Sequence, residues 1–531
     1  MELVLQIATP EAFSAALEAG AGGVSVRLPR NPGEDWWDEV GVWQAAARRR
    51  DVRFCLVWDW LVEQPILSRA EEMLAQAAEL RPQALVLRDL GLIREARRRY
   101  PDLPLHASGA WGCHNSLGLA VAQALGFSRV ILDAPLSLKD MALMRRQSQV
   151  AWEVTVPSSF WGFPGLCLLP EYLGMDAASE LARTGSPSSA QILTAALETL
   201  AGLSQLGMEA VQVGWEFRRG ESLKQVVKLY RMVWEASPTA RLGVLATARE
   251  VLAAFGDLLA EVPGEDPVNP GRGPGTRDRG RGPGPERTSP KATPPKDLWL
   301  EARDYPEAAA LARDWRGPLV VSLTPENYGA FLPEHRRWKP RRLVWRLPAV
   351  IRESALTFYH KAMETLRQGG YSRFIAGDWG AAAWVRKLGG EVYGDQTLGV
   401  RNVWALKAAR ELGAARTCLP PGDPDKWRDL IKPDSGFWGY LSHIPPLAVW
   451  PRGMEPSLPR TLAGHRLRRV VEGELALLCK RVPENLEAQA GWLQHRGVAP
   501  LIVSLSRSGL PWNRVPAGLE SRLQAGRPFR K

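Results

Sequence analysis

The chain has 531 residues, 45% hydrophobic and 24% charged, with a formal net charge of +11, a balance that excludes a disordered or fibrous protein. At roughly 150 residues per domain, the length accommodates two large domains or three ordinary ones. No run of about 18 uncharged apolar residues occurs, and the start MELVLQIATPEAF lacks a basic region ahead of an apolar stretch, so the chain reads as cytoplasmic with no membrane partner.

In chain order, short β-branched or apolar runs alternate with helix-length amphipathic stretches. Eight strands are expected in the first half: 3–7, 23–28, 53–59, 84–89, 103–108, 129–134, 151–156 and 210–215. Segments such as PEAFSAALEAG and SRAEEMLAQAAEL supply the helices between them. Eight strand-helix units in about 250 residues predict an α/β fold of the TIM-barrel, (β/α)8 kind over residues 1–261. Residues 262–296 are Pro-, Gly- and Arg-rich without an aromatic side chain, and such a segment cannot bury enough apolar surface to order itself. They are expected to be a disordered linker.

Residues 297–531 repeat the plan. The stretch from His106 to Leu132 aligns without gaps on Tyr393 to Leu419, with Gly112 over Gly399, Asn115 over Asn402 and Gly126 over Gly413. Thr9-Pro-Glu-Ala is echoed at Tyr305 and Phe160-Trp-Gly at Phe437. A second, degenerate barrel related to the first is therefore expected.

The stretch RDLGLIREARRRYPDLPLHASGAWGCHN (Arg88 to Asn115), followed by LGFSRVILDAPLSL, by GLCLLPEYL from Gly165 and by GMEAVQVGWEFRRGESLKQVVKLYRMV, resembles the peptidase U32 family, the collagenase-like proteases. The resemblance covers most of residues 1–240. It implies a peptidase, a hydrolase of unassigned catalytic type with a peptide or protein substrate. For other members it implies prephenate-dependent or oxygen-independent hydroxylation of tRNA, rRNA or ubiquinone precursors, served by an iron-sulfur cluster on four cysteines. A binding protein without catalysis is the third reading.

Departures from the family pattern bear on that choice. Phe160 stands where the family has its first cluster cysteine, seven residues before Cys167, and no further cysteine follows in PEYLGMDAASELARTGSPSS. One thiolate cannot hold such a cluster. The remaining cysteines, Cys55, Cys113, Cys418 and Cys479, are widely scattered and carry no metal-ligand spacing, so no cofactor and no metal are expected. The family's A-R-E-L-S is Asp133-Ala-Pro-Leu-Ser137 here, and its K-I-E-G-R is Gln212-Val-Gly-Trp-Glu216.

A barrel of this kind gathers reactive groups where its strands end. Asp89, His106 and Ser108 match the D-L-G and H-A-S motifs and form the expected catalytic set, with His106 as base and Ser108 on the same strand face. Asn115, Asp59, Asp133 and Glu216 are the expected substrate contacts; the competing reading for each is capping of the following helix. For the RNA alternative, HRRWKPRRLVWR mixes cations with aromatics in the pattern that grips phosphates and stacks bases, which nominates Arg336, Arg337, Trp338, Arg341 and Arg342, with Trp345 beside them.

Overall fold

The structure is a computed structural model that describes residues 2–132, 136–156, 166–167, 189–206, 208–213, 220–237, 239–254, 297–420, 427–432, 436–452, 461–462, 465–481, 484–486 and 489–505. Asp133, Phe160, Glu216 and the expected linker 262–296 fall outside these residues.

In the first half the strands are β1 (Glu2–Ile7), β2 (Gly23–Arg27), β3 (Arg53–Trp58), β4 (Ala84–Leu87), β5 (Leu105–Ala107), β6 (Arg129–Leu132), β7 (Ala151–Val156), β8 (Leu166–Cys167) and β9 (Ala210–Val213). All but β8 close into one parallel barrel, in which β9 pairs with both β7 and β1. Every expected strand of this half is present. The helices start where the sequence offers a cap: the Thr9 hydroxyl accepts from the Ala12 amide at 3.2 Å, just ahead of a proline that already has helical φ.

In the second half, β10 (Leu298–Glu301), β11 (Leu319–Ser322), β12 (Leu343–Arg346), β13 (Arg373–Ala376), β14 (Glu391–Gly394), β15 (Ala414–Cys418) and β16 (Phe437–His443) run in order around a second parallel barrel. A strand near the chain's end, β22 (Leu501–Ser504), inserts between β16 and β10 to close it. Between β16 and β22 lie β17 (Pro446–Pro451), β18 (Thr461–Leu462), β19 (His465–Glu472), β20 (Leu475–Lys480) and β21 (Glu484–Asn485). Here the chain departs from a plain strand-helix alternation: β17 to β20 form an antiparallel sheet in the order β18, β19, β20, β17, and β8 of the first half adds itself to the outer side of β17.

The interiors of the two barrels differ in chemistry. The second is plugged by Trp299, Val320, Ile375, Tyr393, Trp438 and Ile502. The first has Cys55, Val57, Val86 and Ile131 inside, together with a polar layer in which Thr155 donates to Gln212 at 3.2 Å and Gln212 to Ser25 at 3.3 Å. Of the abundant tryptophans, Trp58, Trp152, Trp299, Trp345 and Trp438 are fully buried, so most of their value is packing.

The positions repeated between the halves hold the barrels together. Asn115 caps the helix Ser116–Ala124 through the Gly118 amide and donates across to the Ile351 carbonyl at 2.7 Å. Asn402 caps Val403–Glu411 through the Ala405 amide and donates to the Val62 carbonyl at 2.8 Å. Glu353 accepts from the Ser116 amide at 2.6 Å, and Gln64, its counterpart, accepts from the Val403 amide at 2.9 Å. The docking is thus arranged about a pseudo-twofold axis. Trp111 stacks on Trp379 across it, with ring centroids 6.5 Å apart. The shared glycines serve the same loops: Gly112 and Gly399 both have left-handed φ, +86° and +68°, which a side chain would strain.

Candidate functional site

At the wide end of the first barrel, where its strands terminate, Arg27 donates to Asp59 at 2.9 Å in a partly exposed pair. Ser108 lies nearby in sequence order at the end of β5, but its oxygen accepts from the Ala110 amide at 3.2 Å and caps the short turn Gly109–Trp111. Asp89 is fully buried and caps the helix Leu90–Arg99 through the Leu92 amide at 3.0 Å; its second oxygen takes the Val62 amide at 3.0 Å and the Asn402 side chain at 3.2 Å. Its partners are therefore a loop of its own barrel and a residue of the other one.

His106 points elsewhere again. It pairs in register with Arg129, the first residue of β6, so it sits toward the end of the barrel where strands begin. Around it Arg53 bridges Glu2 and Glu153, each at 2.6 Å, and Arg129 joins the same carboxylates. Burial, then the positive charges of Arg53 and Arg129, push the imidazole down to about 3. The expected catalytic set of Asp89, His106 and Ser108 is accordingly not assembled: one member faces the barrel interface, one the closed end of the barrel and one its own helical turn. Asn115 likewise spends both ends of its amide on a cap and on docking. Asp59 stays at the mouth; Asp133 and Glu216 lie outside the described residues.

His106 thus gives a stability signature rather than a catalytic one. Its folded value near 3 lies below an unfolded value near 6.5, so stability is complete above about pH 6.5 and drains away as the pH falls toward 3, because only the unfolded chain takes up the proton. His106→Leu is expected to flatten this acid limb: between pH 7 and pH 4 the variant should lose roughly 3 kcal/mol less than the parent, read from urea midpoints.

The segment nominated for RNA lies before β12, on the side of the second barrel opposite its mouth. Arg336, Arg337 and Arg341 are exposed, with Arg337 3.4 Å from Glu334. Trp338 donates to the Tyr305 hydroxyl at 2.8 Å, Arg342 donates to the Trp315 carbonyl, and Trp345 is completely buried. Stacking of bases on Trp345 is excluded by that burial, and Trp338 and Arg342 are engaged in the fold; three exposed cations remain.

The mouth of the second barrel holds a cluster that the strand-end rule also governs. Four strands end there in polar side chains, Glu301, Ser322, Arg346 and Ser504; Asp395 follows β14 directly, and Tyr440 of β16 joins them. Arg346, almost fully buried, is 2.7 Å from Glu301 through Nε and 2.6 Å from Asp395 through Nη1, and Nη2 donates to the Tyr440 hydroxyl. Burial opposes the guanidinium's charge, but Glu301, Tyr440 and Asp395 more than offset it and hold the pKa well above its ordinary value. His443 stacks face to face on Tyr440 at 4.1 Å. The alternation of side chains along β10, β12 and β14 would have located the cluster: Trp299 and Glu301, Val344 and Arg346, Tyr393 and Asp395 share a face by the period of two.

Residues 10–182 match the family model described as Peptidase family U32. That match takes in β2 to β8 of the first half. The chain is 28% identical over 160 residues to the tRNA hydroxylation protein P of Escherichia coli strain K12, covering 30% of this chain and 35% of that protein. It is 31% identical over 105 residues to the protein of the same name from Helicobacter pylori strain J99, covering 19% and 25%. The matches span about a third of these relatives or less. Among solved structures, the thiamine phosphate pyrophosphorylase of Pyrococcus furiosus aligns with 49% of this chain and 96% of its own at 10% identity and a TM-score of 0.26.

The iron-sulfur cluster of the hydroxylation branch does not fit the described cysteines. Cys55, Cys113, Cys418 and Cys479 are buried on separate elements, and burial pushes the Cys55 thiol up to about 12, away from the thiolate a metal needs. Among the described residues no three His, Cys, Asp or Glu side chains converge as a metal site, and no helix is long and apolar enough to cross a membrane.

Proposed function

We propose that this chain serves the hydroxylation of tRNA. The observation that carries the reading is the match of the chain to proteins named for tRNA hydroxylation. Two features favour it over peptide cleavage. Of the residues expected to cut a peptide bond, Ser108 caps a turn, Asp89 caps a helix and meets Asn402, and His106 is buried beside Arg53 and Arg129, which disfavours its protonated form. The surplus of eleven positive charges and the exposed Arg336, Arg337 and Arg341 suit a polyanion. With the cluster cysteines wanting, the chain's part is the binding and orientation of RNA or of a partner enzyme, and no step is routed through a metal here.

The test is mass spectrometry of tRNA nucleosides from host cells with and without the gene. A nucleoside one oxygen heavier should vanish on deletion and return with the wild-type gene. Identical nucleoside profiles in the two strains would overturn the assignment.

A further inference from the structure

We infer that the closed end of the second barrel, where its strands begin, is a docking face for the phosphate backbone of double-stranded RNA. The inference rests on the tRNA reading for the choice of RNA and adds where the polyanion is held. The segments leading into the four neighbouring strands β11, β12, β13 and β14 are residues 312–318, 332–342, 367–373 and 386–391. They carry eleven Arg or Lys against three Asp or Glu, a surplus of eight where the whole chain has eleven. In a barrel such segments share the end opposite the mouth, so the positive charge is gathered on one face. The capping bonds that dock the two barrels come instead from segments that follow the strands.

These cations are not spent on carboxylates. Among the described residues, Arg337 with Glu334 at 3.4 Å is the only ion pair of these segments, and Arg313, Arg316, Arg336, Lys339, Arg341 and Lys387 are exposed without one. Arg367 and Arg386 donate to the carbonyls of Leu388 at 3.0 Å and Glu411 at 3.2 Å, and Arg342 to that of Trp315. Such bonds tether a guanidinium without cancelling its charge. The carbonyl ends of the helices that finish here supply about half a negative charge each, too little to offset eight. Burial, and then the charge of Arg316, hold the Arg342 guanidinium below its ordinary value, as an uncompensated positive field requires. The same end of the first barrel is laced with ion pairs: Arg53 meets Glu2 and Glu153, each at 2.6 Å, and Arg98 and Arg99 meet Glu95 at 2.6 and 3.2 Å.

The form of the RNA follows from the rings. Among the described residues the face exposes no tryptophan, tyrosine or phenylalanine: Trp315 and Tyr371 are buried, and Trp338 is half-buried and bonded to Tyr305. Bases splayed from a single strand need rings to stack on. A duplex stem needs only cations along its phosphates and is held by shape, without readout of sequence.

Fluorescence anisotropy on the full chain tests this with a labelled RNA duplex of about 20 base pairs, a single-stranded RNA of the same length and, by flotation, phosphatidylserine vesicles. The duplex should bind most tightly, with an affinity that falls with salt at a log-log slope of about −5, as for six phosphate contacts. Arg316→Glu with Arg341→Glu should weaken the duplex at least about tenfold and flatten the slope by about two, while Arg316→Lys with Arg341→Lys should bind as the parent does. Arg48→Glu with Arg49→Glu changes the net charge equally on the first barrel and should weaken binding by no more than about twofold. Absence of duplex binding, tighter binding of the single strand or of the vesicles, or equal losses from the two glutamate pairs would each overturn the inference. The titration reads the isolated chain and the nucleoside comparison reads the cell, so unchanged nucleosides beside duplex binding on this face would remove the tRNA reading and leave the docking face standing.

Discussion

Gly91→Ala is expected to destabilise the protein by about 2–3 kcal/mol, the overpacking range for a site that cannot relax, and to lower the thermal midpoint accordingly. Gly91 lies in the first turn of the helix Leu90–Arg99, where alanine would ordinarily gain up to about 1 kcal/mol of helix propensity. At this site that gain is outweighed. A Cβ would fall 2.5 Å from the Ala405 backbone nitrogen, 2.8 Å from the Asn402 side-chain oxygen and 2.8 Å from the Trp404 Cβ. The Ala405 nitrogen and Trp404 Cβ are fixed by the backbone, and the Asn402 oxygen is pinned by its cap on the Ala405 amide, so the second barrel must withdraw. Gly380→Ala meets the Gly118 amide nitrogen at 2.6 Å and should behave alike. Differential scanning calorimetry measures both; a midpoint equal to that of the parent would show that the helices do not pack as closely as described.

The symmetry-related carboxylates Asp89 and Asp378 should respond with opposite signs to the same change. Asp378 caps its helix through the Ala381 amide at 2.8 Å, but its other oxygen is buried without a hydrogen-bond partner. Burial pushes this group up to about 6, against the smaller opposing effect of the Ala381 and Gly380 amides. With an unfolded value near 3.9, the folded state carries a charge penalty at neutral pH that is relieved as the pH falls from about 6 to 4. Asp378→Asn keeps the cap and removes the charge, so at pH 7.5 it should stabilise by about 1–3 kcal/mol, and at pH 4 the gain should disappear. At Asp89 burial also raises the pKa, but the amides of Leu92 and Val62 and the side chain of Asn402 all donate to the carboxylate. Asp89→Asn turns an NH2 toward one of these donors, and stranding such groups should cost about 2–4 kcal/mol. Urea titrations at both pH values distinguish the pair; destabilisation by Asp378→Asn at pH 7.5 would contradict the orphaned oxygen.

The barrels were readable because apolar runs recur at strand length and because the segment at His106 returns at Tyr393. The roles of individual polar residues were not. Whether a residue at a strand end lines the mouth or turns to the outside is set by one step of register, and Asp89 took the outer face, whereas Arg346 took the inner one. Asp89 also meets Asn402 across 313 positions, a pairing that no local pattern announces. His106 was placed on the correct strand, but distance along a three-residue strand does not tell the open end from the closed one. The strand β8, two residues long and completed by a partner in the other half, has no signature of its own.

The docking network has a consequence for how such a protein can change. It draws on the segments after β3, β4, β5 and β6 in one barrel and after β12, β13 and β14 in the other. In a lone barrel those loops are where new specificities are usually written. Here several of them on each side answer to a twin, so a variation that would reshape a substrate mouth must first be acceptable to a neighbour. Innovation is steered to the remaining loops, and the antiparallel insertion β17–β20 follows β16, a strand outside that network, although β17 itself takes β8 of the first half as a partner.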